Sequence, residues 1–374
     1  MPEETEPSHS VPPDVQEELS PFELWWRNHQ QWLKTQGYML RPRYAHDWRP
    51  SWTSNGKSSL DCEDGQSPQY GQITDAVRIS DGVIVALKRI SKVYASQESD
   101  FGVLLSSEQF RDDPENHCVP IYQVLDAPDD KKLQILVMPF LRIWNDPPFD
   151  TFGEVISFID QCIEGLYFMH KQLIAHRDCT WRNIMMDPSA LYPESFHPVR
   201  TRRTRDFKGD AKHYTRTQRP VKYYLIDFGL TRRYKAEDMP PMEDIVPGGD
   251  RSAPEHQPAA LERNPTKKCN PFPTDVYYLG NVIRKRLIEL NKGFEFLEPL
   301  VNDMVQEEPD KRPTMEEVSK RFAEIRKTLT TTKLRSRVVP RNEGRIQGFL
   351  RSLSHWFRRI EYIIRRTPAV PMPK

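Results

Sequence analysis

HRDCTWRN, residues 176–183, sets an imidazole, a guanidinium and a carboxylate side by side, with a carboxamide five residues after the carboxylate. Its reading decides the fold. Alone it is a polar turn of a kind that arises by chance, so the order of motifs around it has to give it meaning. A second tripeptide, Asp227-Phe228-Gly229, follows the apolar run VKYYLI, which reads as a strand.

Composition sets the bounds. At 374 residues the chain is long enough for one large two-lobed domain, or for two ordinary domains with tails. Formal net charge is +1, so bulk electrostatics favours neither nucleic acid nor membrane, and no nucleic-acid partner is expected. The charge is unevenly spread, acidic and Pro-rich before residue 25 and strongly basic after residue 318. The five cysteines are odd in number and scattered, with no C-x-x-C, which argues against a disulfide framework or a zinc site and fits a reducing compartment. The N-terminus carries no apolar core segment of a signal peptide, and no apolar run approaches a membrane span. A soluble protein of the cytoplasm or nucleus is expected.

Along the chain, residues 1–20 are expected to be a disordered acidic tail. Residues 21–65 read as a flanking segment. It opens with an amphipathic helix from Pro21 to Gly37 on Phe22, Trp25, Trp26, Gln30 and Leu33, followed by a Trp- and Arg-rich flap at 40–52 and a loop at 54–65. Ile73–Arg78, a Ser-Asp-Gly turn and VIVALKRI at 83–90 predict a hairpin, and LQILVMPFL at 133–141 a buried strand. From Thr151 the spacing of Phe152, Val155, Ile156, Ile159, Cys162, Ile163 and Leu166 predicts a helix over four turns, with Thr151 and Glu154 at capping-box spacing. The chain is thus strand-rich before residue 150 and helix-rich after it.

With VALK at 85–88, HRDCTWRN and IDFGL in that order, the sequence resembles the eukaryotic protein kinase superfamily from about residue 66 to 326. The resemblance implies an α+β, two-lobed protein kinase fold: a β-rich lobe with one main helix at 66–141 and a mostly helical lobe at 142–326. It implies ATP and Mg2+ as cofactors and a protein substrate. Residue by residue, Asp178 matches the catalytic base, and Asn183 and Asp227 match the metal ligands. Arg177 matches the arginine that reads the activation segment, and Lys88 the lysine on the α- and β-phosphates. Gly71 and Ile73 match the end of the glycine-rich loop and the residue covering the base. Ala86 lies in the VALK strand two residues before Lys88, and Met138, Phe140 and Leu141 match the gatekeeper and hinge. Glu98 is the candidate partner of Lys88, on a helix that Phe101, Leu104 and Leu105 would bury, with Asp100 and Glu108 as rivals. Small-molecule kinases of the aminoglycoside and choline type share the H-x-D-x-x-x-x-N loop. They are not expected to carry Ala253-Pro254-Glu255, the helix aspartate Asp275 or Arg312, which match structural residues of protein kinases. The front segment resembles the flank of a divergent group of fungal kinases.

The departures from the pattern matter as much. Gln66 and Pro68 stand where the first two glycines belong, which implies a stiffer loop that holds ATP less well. Thr180, Arg182 and Gly248 leave the acceptor, serine/threonine or tyrosine, poorly defined. A basic insert at 187–221 is expected to be a solvated excursion, or else a docking arm at 200–222 for an acidic or phosphorylated partner through Arg200, Arg202, Arg203 and Arg205. The activation segment offers Thr231, Tyr234 and Ser252 to phosphorylation but is acidic at Glu237, Asp238, Glu243 and Asp244, so one carboxylate is expected to meet Arg177. In the tail at 327–374, Ile346, Phe349, Leu350, Leu353, Phe357, Ile360 and Ile364 fall on one face of a helix at 345–364. That helix is expected to dock on the chain's own surface, the alternatives being a partner groove or an anionic membrane. The whole reading is an ATP-dependent protein kinase acting on serine or threonine, with a pseudokinase scaffold as the competing function.

Overall fold

The computed structural model describes residues 19–245, 248–263 and 268–373 and is α+β, with two compact units. The first comprises the chain through Ile90 together with Gln123–Phe140 and Glu194–Lys212. Its centre is a curled antiparallel sheet of β1 (Tyr38–Leu40), β2 (Ile73–Arg78), β3 (Ile84–Ser91), β4 (Gln123–Asp126) and β5 (Leu133–Pro139), in the order β1-β2-β3-β5-β4. The alternation of side chains along a strand gives each its two faces. Val85 and Leu87 of β3 and Ile135 and Val137 of β5 join Trp26, Leu33 and Tyr44 in one apolar core. The flank therefore supplies five of the eleven buried residues of this core, and Leu40 and Tyr44 of the expected flap are packed into it.

The expected helix at 21–37 is two helices, α1 (Pro21–Asn28) and α2 (Gln30–Thr35). The break falls at His29, whose ring stacks on Trp25 at 3.9 Å and meets Asp129 at 2.9 Å. Ser20 caps α1 in a full capping box with Glu23. Of the tail expected at 1–20, residues 1–18 lie outside the described residues, while Leu19 is buried beside Trp48.

The second unit comprises Ser91–Tyr122, Leu141–Pro193 and the chain from His213 on. It contains α3 (Ser96–Leu105), so the helix that carries Glu98 groups with the helical unit rather than with the sheet. At its heart is α4 (Phe152–Lys171), buried on nearly every face, as its apolar composition requires. Thr151 caps it by accepting from the Glu154 N–H at 3.1 Å. Glu154 does not close the box; its carboxylate accepts from the N–H groups of Asp150 and Thr217 at 2.7 and 2.8 Å. Two short sheets hold the connecting loops: β6 (Arg142–Ile143), β8 (Ile184–Met186) and β9 (Tyr223–Leu225) in one, β7 (Ile174–Ala175) and β10 (Arg232–Arg233) in the other. Helices α5 (Pro271–Ile283) and α6 (Met315–Thr328) pack against α4, and α7 (Arg345–Ile364) follows in the tail.

Candidate active site

Asp275, fully buried on α5, organises the loop at 176–183. Its carboxylate accepts from the backbone N–H of His176 at 2.8 Å and of Arg177 at 2.7 Å, and faces the His170 ring at 3.1 Å. The buried His176 ring accepts from the Asp178 N–H at Nδ1 and lies 3.1 Å from the Ile226 carbonyl at Nε2. Those partners assign the tautomer protonated at Nε2. The loop is thereby bonded to the residue before Asp227. Arg177 and Asp227 both sit at positive φ, 68° and 67°. Non-glycine residues hold such conformations only where the surroundings over-determine them, and they concentrate at functional sites.

Asn183 donates to the Asp178 carbonyl at 2.9 Å and to its carboxylate at 2.8 Å. Burial pushes the Asp178 carboxyl above its ordinary range and the nearby Asp227 carboxylate pushes it further, against the Asp250 N–H, His176 and Asn183. Two carboxylates and a carboxamide make a hard oxygen donor set. No group of three or more His, Cys, Asp or Glu is arranged for a metal among the described residues. The set fits Mg2+ shared with phosphate oxygens and water, and does not form an all-protein cage.

The stretch that follows Asp227 closes on this loop. Glu243 stands 3.0 Å from Arg177 Nη2 and accepts from Arg232 at 2.8 Å, so one of the four carboxylates named from the sequence does meet Arg177. Thr231 is fully buried, its hydroxyl on the His176 carbonyl. Asp250 donates its N–H to Asp178 at 3.1 Å and accepts from the Tyr278 hydroxyl. Gly249 makes that approach possible: its φ is +75°, and a Cβ there would lie 2.8 Å from Leu230. Sequence reasoning missed Asp250 and Tyr278; the Gly248-Gly249 pair was the signal available. Beneath the segment, Glu255 and Arg312 form a buried two-point pair at 2.7 Å each, with Thr274 donating to the same carboxylate.

Helix α3 packs on the turn at Phe228–Leu230 that follows Asp227. Its buried face is Glu98, Ser99, Gly102 and Leu105; of the expected Phe101, Leu104 and Leu105 only Leu105 is fully buried, the other two being half-buried. Of the three carboxylates considered for Lys88, Glu98 is buried while Asp100 and Glu108 are exposed.

In the sheet unit, the register sets Ile73 opposite Lys88 and Asp75 opposite Ala86. Ile73, Ala86 and Lys88, with Met138 of β5, therefore share the face turned away from the flank core. Leu141, just past the strand, is buried. The segment matched to the glycine loop is tied down. The buried Gln66 amide donates to the carbonyls of Ser59, Leu60 and Cys62 at 3.2, 3.0 and 2.9 Å, and accepts from Arg200 at 2.7 Å. Gly71 lies so close under Phe22 that a Cβ would sit 2.4 Å from the ring, and its carbonyl accepts from Trp26 at 2.9 Å.

The basic insert is not a solvated excursion. His197 is fully buried at 3.3 Å from Glu63, Arg205 and Arg41 both pair with the buried Asp75, and Phe196 lies against Phe140 at 5.6 Å. Of the arginines named for docking, Arg200, Arg203 and Arg205 engage the chain's own groups, and Arg202 is exposed. In comparisons with known proteins, no family model matches the chain and no curated sequence matches it either.

Proposed function

We propose that the chain has the two-lobed protein kinase fold and phosphorylates serine or threonine hydroxyls of a protein substrate at the expense of ATP. The observation that carries this reading is the tie from Asp275 to the backbone of His176 and Arg177, which fixes Asp178 beside Asn183 and within electrostatic reach of Asp227. Mg-ATP, when bound, supplies the phosphoryl group and the cation that neutralises its charge. Asp178 orients the acceptor hydroxyl and takes its proton. Asp227 and Asn183 offer oxygen ligands to the cation, and Lys88 offers its ammonium to the phosphates. Arg177 holds the activation segment through Glu243. Phosphoryl transfer rests on positioning and electrostatics, so these five side chains suffice for the chemistry.

Transfer of labelled γ-phosphate from Mg-ATP to the chain itself and to generic protein acceptors tests the reading, comparing wild type with Asp178→Asn. Loss of transfer in the variant supports it; no transfer from folded wild type counts against it. One observation favours a second reading, a scaffold that keeps the fold without turnover. Gln66 and Gly71 are locked into the flank, where a phosphate-gripping loop needs freedom. Thermal stabilisation by ATP with no transfer would support the scaffold.

A further inference from the structure

The docked face of α7 is its polar one. At about 100° per residue, Ile346, Leu353, Phe357 and Ile364 fall on the side opposite His355 and Tyr362, and these last two are the only buried residues of the helix. His355 meets Asp150 at 3.1 Å and the Arg335 carbonyl at 3.0 Å. Arg358 donates to both Asp150 oxygens at 2.7 and 3.1 Å, and Tyr362 meets Thr215 at 2.8 Å. Burial alone would raise the Asp150 carboxyl, yet His355 and Arg358 hold it below its ordinary range. The helix thus docks on the chain's own surface, as expected, but through its polar face, which leaves the apolar stripe outward. Ile346 is 81% exposed, Phe349 69%, Phe357 59% and Trp356 55%.

The helix cannot roll to hide this face cheaply. Rolling would strip Asp150 of both its partners, His355 and Arg358, and leave its carboxylate without a counter-charge. The chain beyond the helix is anchored as well. The Thr367 carbonyl accepts from Arg335, the Pro371 carbonyl accepts from Ser157 of α4, and Ala369 fills the space where Gly153 lacks a side chain. A contiguous apolar face held outward by polar anchors marks an interaction site.

We propose that α7 lies in the plane of an anionic lipid surface, with Phe349, Leu353, Trp356, Phe357 and Ile360 in the headgroup–acyl boundary. Charge selects this occupant. Residues 345–366 contain six arginines and one carboxylate, Glu361. Arg351, Arg358 and Arg365 pair with Glu343, Asp150 and Glu361, and the positive charge that remains, on Arg345, Arg359 and Arg366, suits anionic headgroups and repels a second copy of the same helix. No described helix is long and apolar enough to cross a membrane, so α7 rests on the surface.

The test is co-sedimentation of the full chain with phosphatidylcholine vesicles with and without phosphatidylserine, alongside sedimentation velocity of the chain alone. Binding is expected only with phosphatidylserine. It should weaken about tenfold or more in F349S/W356S/F357S, whose exposed sites leave the thermal midpoint unchanged, and about tenfold in R345E/R359E. Absence of binding, or equal binding to both vesicles, overturns the proposal. A dimer that the serine variant abolishes also overturns it, because that assigns the face to a second copy.

Discussion

The segment at 66–73 in the sheet unit and the loop at 176–183 in the helical unit treat their polar groups in opposite ways. At 66–73 both a departure from the glycine-rich pattern and a match to it have structural partners. Gln66 satisfies three carbonyls and Arg200, and Gly71 is where Phe22 and Trp26 come to rest. At 176–183 the matched residues are held uphill, with Arg177 at positive φ and Asp178 half-buried near a second carboxylate. Departure from a pattern is therefore a poor measure of damage. Strain kept in place by distant groups is the better pointer to function.

If the loop is strained, its support must lie elsewhere, and the largest effect is expected at the Glu255–Arg312 pair. Arg312→Ala strands a buried carboxylate and should cost about 3–5 kcal/mol, read from denaturant midpoints. The pH dependence gives the sign. Burial alone would raise Glu255, but Arg312 holds it below its ordinary 4.5. In wild type the pair's contribution is present above that value and is lost as pH falls through the lower folded one. In the variant burial is opposed only by the hydrogen bonds from Thr274 and the backbone, so protonation relieves the carboxylate. The gap between the two proteins should narrow from pH 7 towards pH 4; a constant gap would assign the loss to packing.

Next in size is Gln66→Gly, which installs the glycine of the pattern that the sequence resembles. It removes four hydrogen bonds made by a buried amide, leaves a void where that amide packed, and adds backbone entropy to the unfolded chain. A loss of about 2–3 kcal/mol is expected, with no gain in ATP affinity. Tighter ATP binding at unchanged stability would break the comparison. The reverse is expected of Asp178→Asn. The Asp178 carboxyl is raised above its ordinary 3.8, so its contribution is full below that value and lost as pH rises through the folded one. At neutral pH it opposes folding. The variant should match wild type or exceed it by about 1 kcal/mol in urea, while transfer falls by about 100-fold or more. A variant that is clearly less stable would show that the loop is built for stability after all.

What the sequence made legible was local. The period of α4 and its Thr151 cap, the hairpin β2–β3 and the bounds of α7 follow from neighbours a few residues apart, and each stands where the spacing put it. The Glu255–Arg312 pair and the place of Asp275 under the loop were also legible, because fixed motifs carry them. What failed depended on partners far along the chain. The arginines at 200–205 read as solvated until Gln66 and Asp75 are seen beside them. The break at His29 needs Asp129. Periodicity told which face of α7 is apolar, but the docked face was set by Asp150 and Thr215.

The smallest expected effect concerns the contact that links the loop to the stretch around Glu243. Glu243 faces Arg177 and Arg232, while Thr231, one of the hydroxyls available to a kinase, is fully buried against His176. A carboxylate that is always present needs no phosphorylation event to hold Arg177. Glu243→Gln keeps the shape and removes the charge from a mostly buried pair, so it should cost about 0.5–1 kcal/mol and lower transfer a few-fold. Phosphatase treatment of wild type should leave transfer unchanged. If phosphatase lowers transfer as much as the substitution does, the charge on Arg177 is supplied by modification, and the loop is strained only until a phosphate arrives.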